Sequence, residues 1–87
     1  MDKTEKMRIC ALLCRLSIYN LKDLREALLN ELKCLYRALE IKEEDAEKIE
    51  DPQLYKIALD LEYNADSLKS SAEDLEAVLK DLEKINI

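Results

Sequence analysis

Eighty-seven residues make one small domain, and a single core of that size is marginal unless its packing is very regular or chains associate. Glycine, phenylalanine, tryptophan and histidine are absent, proline occurs once as Pro52, and leucine, glutamate, lysine and alanine dominate; this suits long helices, starves strands of turn residues and removes the usual general base and metal ligand. The net charge of -6 is uneven, with eight basic and six acidic side chains in residues 1–41 against six and fourteen in residues 42–87, as expected if a basic helix lies beside an acidic one.

The N-terminal segment reads as one long helix from about residue 3 to 41, opened by an Asp2 and Glu5 capping box. Met7, Cys14, Leu21, Leu28 and Leu35 fall at heptad position d, and Ala11, Ile18, Arg25, Leu32 and Leu39 at position a. Only Arg25 interrupts that seam, by reaching outward on its aliphatic stem or by specifying the pairing. The phase survives Ser17 and Asn20. A break near Asn20, giving a three-helix bundle, is the competing architecture.

Residues 42–51, KEEDAEKIED, contain the stretch where the seam lapses, and form an acidic connection with room for a short helical turn. Asp51 followed by Pro52 is an N-cap residue and a first-turn proline. The second helix accordingly runs from about 52 to 86. Leucine occupies its d positions, Leu54, Leu61, Leu68, Leu75 and Leu82, and Ala58, Ala65, Ala72 and Leu79 its a positions. Alternating alanine and leucine allows a close antiparallel neighbour.

Residues 1–87 therefore read as a single all-α domain, an antiparallel hairpin of two long helices. Folding it about the connection pairs positions whose numbers sum to about 93, such as Cys14 with Leu79, Leu28 with Ala65 and Leu35 with Ala58. The same register sets Arg8 near Glu83 and Arg15 near Glu76 on the e flank, with Lys22 facing Lys69 as the one unfavourable pair. The g flank is apolar or small, carrying Cys10, Leu24 and Ala38 against Ile57, Ser71, Val78 and Ile85.

The first helix also carries Ile9, Leu12, Leu13, Leu16 and Tyr19 outside the seam, so its N-terminal half is apolar on nearly every side. Two hairpins are expected to pair through their g flanks into a four-helix bundle, burying Ile9, Leu13, Leu16 and Val78 between them. The candidate partner or dimer interface is Ile9, Leu12, Leu13, Leu16, Tyr19, Leu24, Ile57, Val78 and Ile85. Tyr36, Tyr55 and Tyr63 are further possible anchors, although Tyr36 and Tyr55 approach each other near the connection.

No constellation for chemistry emerges. Cys10 and Cys14 lie one turn apart, but Cys34 is about 30 Å farther along a straight helix, too far to complete a tetrahedral site, so the pair reads as buried core cysteines. Glu43, Glu44, Asp45, Glu47, Glu50 and Asp51 lack the spacing and glycine of a calcium loop and read as a solvated turn. No catalytic residue, cofactor or metal ligand is expected. Arg8, Arg15 and Lys22 could track a phosphate backbone, yet two of them are expected to face acids, and no aromatic residues interleave with them. That argues against nucleic acid.

Arg8 and Arg15 bracket the run from Ile9 to Cys14, leaving no stretch fit to span a membrane or to serve as a signal peptide. An odd number of cysteines fits reduced thiols and a cytoplasmic setting. The expected function is a non-enzymatic helical protein-protein interaction module, a small adaptor, regulator or inhibitor. The alternative is an acidic decoy that blocks a nucleic-acid-binding surface of a target protein.

Overall fold

The computed structural model describes residues 1–42 and 45–85, with side chains through residue 84. Two helices, α1 over Lys3–Ala38 and α2 over Pro52–Ile85, lie against each other as a hairpin, with a 3₁₀ turn at Ala46–Lys48 between them. No strand occurs among the described residues. The break near Asn20 that a three-helix bundle requires is not there, because α1 runs through that position without interruption. Asn20 faces away from the seam and Ser17 lies on its g flank, both exposed, where a polar side chain costs a helix only its modest propensity.

Each helix begins as its sequence dictates. The Glu5 backbone N–H donates to Asp2 Oδ1 at 2.8 Å, which satisfies one of the amides a helix start leaves free. Asp51 caps α2 in the same way, accepting from the backbone N–H groups of Gln53 at 2.9 Å and Leu54 at 3.0 Å, and Pro52 occupies the first helical position. Asp45 does so for the 3₁₀ turn, where Glu47 N–H donates to its Oδ1 at 3.0 Å.

The first helix stops at Ala38, three residues before the expected end at 41. Glu40 adopts a left-handed conformation with φ 59. Its N–H donates to the Arg37 carbonyl at 3.1 Å, and that of Ile41 donates to the Tyr36 carbonyl at 3.0 Å. This is the Schellman pattern, normally built on glycine, and here a chain without glycine builds it on glutamate. The heptad count could not see it, because Leu39 and Ile41 still turn inward after the helix has ended.

The core follows the heptad seam. Ala11, Cys14, Ile18 and Leu32 of α1 and Ala58, Ala65 and Ala72 of α2 are buried. The d leucines of α2 are only half-buried, since a seam between two helices has two open flanks and long side chains protrude past them. At the closed end Tyr36, 1 % exposed, is enclosed with Leu32, Ala46, Ile49 and Ala58. Tyr55 packs at the edge of this cluster, as the sequence suggested, and Tyr36 Oη donates to Glu62 Oε1 at 2.8 Å.

Ion pairs on the e flank are displaced from the expected partners by one heptad. Arg15 meets Glu83 and Lys22 meets Glu76, each at 2.8 Å. Side chains on a helix lean toward its N-terminus, so across an antiparallel pair they meet residues beyond their backbone-level neighbours. The Cys14 thiol donates to the Leu75 carbonyl at 3.2 Å. The shift also gives Lys22 an acid in place of the unfavourable Lys69.

The hairpin is a rod of 58 × 19 × 15 Å with a radius of gyration of 18.3 Å, against about 12 Å for a compact globule of this length. Among the described residues, no helix is long and apolar enough to cross a membrane.

Candidate interaction surface

The heptad fixes which side chains α1 can offer once its a and d positions are taken by α2. Positions b, c and f lie on the far side of the helix from the seam. Between residues 9 and 19 those positions hold Ile9 and Leu16 at f, Leu12 and Tyr19 at b, and Leu13 at c. All five are exposed, from 42 % for Ile9 to 65 % for Tyr19. They cover three turns of helix, about 15 Å long, backed by the buried Ala11, Cys14 and Ile18 of the seam. The N-terminal half of α1 is therefore apolar on two opposite faces, and only one is covered.

The remaining candidates divide by position. Val78 is exposed on the g flank of α2, beside this half of α1 in the hairpin register. Leu24 is also exposed, but lies one turn past the patch, beside a shallow cleft lined by Asn64, Ser67 and Ser71. Ile57 is exposed near the closed end, about 32 Å from Val78 along α2. It belongs to a separate surface. The side chain of Ile85 lies outside the described residues. Tyr63, named above as a further anchor, is exposed at an outer position of α2, and so is Leu59, which was not among the candidates. They lie one turn apart on the outer face of α2, and their signal in the sequence is weak because the two form a short pair rather than a repeated stripe.

Charge frames the patch on one side. Arg15 with Glu83 and Lys22 with Glu76 form a mixed rail along the e flank, and the Lys22 ammonium holds the Glu76 carboxyl below the usual carboxylate range, first by its hydrogen bond and then by its charge. The basic stripe of α1 is thus partly neutralised within the hairpin. Arg25, in the seam, is half-buried, and its Nε is enclosed without a hydrogen-bond partner. A cleft of about 440 Å³ opens there, lined among others by Lys22, Arg25, Leu29, Leu68, Lys69 and Ala72.

The cysteines separate rather than cluster. Cys14 is buried, but Cys10 is exposed, because position g lies outside the two-helix seam; the expectation of a buried pair is corrected to one buried thiol. Cys34 is exposed on a distant turn. In the connection Asp45 and Asp51 are engaged as caps, Glu47 and Glu50 are exposed, and Glu43 and Glu44 lie outside the described residues. Among the described residues no three His, Cys, Asp or Glu side chains gather where they could hold a metal ion. No family model, curated protein or solved structure matches the chain.

Proposed function

We propose that this chain is a non-enzymatic, cytoplasmic interaction module, a small adaptor, regulator or inhibitor that presents the outer face of α1 to a protein partner. The observation that carries this reading is the contiguous exposure of Ile9, Leu12, Leu13, Leu16 and Tyr19 on a helix whose opposite face is already packed. A rigid helix offering residues at i, i+3, i+4 and i+7 is a recurrent way of filling an apolar groove or pairing with another helix. Patches of this kind mark interaction sites when they exceed a few hundred Å².

The apolar surface leads over the acidic decoy because several acids of α2 are occupied within the hairpin: Glu62 by Tyr36, Glu76 by Lys22 and Glu83 by Arg15. The test is a pull-down with wild type, Leu13→Glu and Leu16→Glu, each shown by circular dichroism to keep its helicity. Loss of the captured partner in both variants supports the reading, and an unchanged set of partners removes it. Binding that persists from 50 to 300 mM salt separates an apolar contact from the decoy, whose attraction would be screened.

A further inference from the structure

We infer that the occupant of the outer α1 face is a second copy of this chain, paired antiparallel about a two-fold axis near residue 14; this rests on the interaction reading above and names its partner. The first argument is area. The chain exposes 6741 Å², whereas a folded monomer of 10.1 kDa exposes about 5,300 Å². The surplus of about 1,400 Å² per copy exceeds the roughly 800 Å² that each partner of a standard interface buries. One further long helix laid along the hairpin is the scale of partner that would remove it.

The second argument is the order of the side chains. An antiparallel helix pair places a residues of one copy against d residues of the other, so a self-pairing stripe must read nearly the same in both directions. From Ile9 to Tyr19 it does. Reflection about residue 14 sets Ile9 against Tyr19 and Leu12 against Leu16 of the other copy; shifting the axis half a residue, to the midpoint of residues 14 and 15, sets Leu13 against Leu16 and Ile9 level with Asn20. Apolar meets apolar through the middle of the stripe. A parallel pairing would gain no advantage from this symmetry.

The third argument is charge at the ends. Beyond the stripe on the outer face stand Lys6 and Asp23, both exposed. The antiparallel register that joins Leu13 to Leu16 brings Lys6 of each copy level with Asp23 of the other. A parallel in-register pair would instead put lysine beside lysine and aspartate beside aspartate, which opposes it. Val78 lies beside the c edge of the stripe and is available to the same contact.

The experiment has two arms. Light scattering on the pure protein at micromolar concentration is expected to give twice 10.1 kDa. Leu16→Glu is expected to halve that mass with helicity retained, and Ile57→Glu, remote from the stripe, to leave it unchanged. The second arm uses a Cys10→Ser, Cys34→Ser background and a short thiol cross-linker. An equimolar mixture of Ile9→Cys and Asn20→Cys chains should cross-link, and neither chain alone should, because like positions stand about 16 Å apart along an antiparallel pair.

A single-chain mass overturns the inference, as does a double mass that survives Leu16→Glu. Cross-linking of Ile9→Cys with itself also overturns it by showing a parallel pair. A single-chain mass combined with a partner lost in Leu13→Glu and Leu16→Glu leaves the interaction reading standing, with a foreign partner on the same face.

Discussion

Glutamate at position 40 occupies a conformation that L-residues with a Cβ adopt at a cost of roughly 1 kcal/mol. The chain accepts this because the reversal lets Ile41 fold back on Tyr36 and close the apolar end of the hairpin. Glu40→Gly should remove the strain while loosening the unfolded chain, for a net gain of about 0.5 kcal/mol. A rise of a few degrees in Tm would show it, and a fall would mean the Glu40 side chain holds something else. A second residue-scale test concerns Glu76, whose carboxyl is held below its ordinary range by Lys22. Because the folded state favours the ionised form, this stabilisation is complete above the ordinary carboxylate value and fades as pH falls through the lowered one. The Tm difference between wild type and Glu76→Gln should therefore be present at neutral pH and vanish once the pH has fallen below the lowered value. A difference that persisted there would point to packing rather than charge.

At the scale of the element, α2 was legible almost to the residue. Asp51 and Pro52 announce the start, and the Ala58, Ala65, Ala72 series announces the buried stripe, because capping and close helix approach are local rules written in local residues. Asp51→Ala should accordingly cost about 1 kcal/mol, read as a lower denaturation midpoint. What the heptads could not show depended on tertiary context: the inward turn of Ala46 and Ile49 from a segment that reads as solvated, the exposure of Cys10, and ion pairs displaced by the lean of their side chains. The interface candidates were legible as residues without seam partners, but only the outer positions of α1 form a contiguous group. Arg25 was visible as the break in the seam, while the burial of its Nε was not. Leaving a buried donor unpaired costs more than an apolar side chain of similar length would. Arg25→Leu should remove the unpaired donor while keeping an apolar contact with Leu68, and stabilise the hairpin by about 1 kcal/mol in chemical denaturation. A loss of stability would mean that the guanidinium makes a contact that matters more than its buried nitrogen.

For the molecule as a whole, the rod shape and the second apolar face are one fact seen twice. A hairpin 58 Å long cannot cover both sides of α1 with a single α2, so the residues left over at positions 9 to 19 define the surface that must find a neighbour or remain wet. If that neighbour is another copy, folding and association are a single equilibrium, and Tm depends on protein concentration. Two chains of 87 residues unfold with an enthalpy of about 120 kcal/mol near 60 °C, which makes the shift about 4 °C for each tenfold rise in concentration. Leu16→Glu places a carboxylate against apolar side chains twice over across the two-fold axis. It should abolish the concentration dependence and lower Tm at high concentration, with the two proteins converging as the wild type is diluted. The convergence is the informative part. A variant that merely damaged the hairpin would melt lower at every concentration, whereas one that only separates two intact hairpins loses the stability that association supplied.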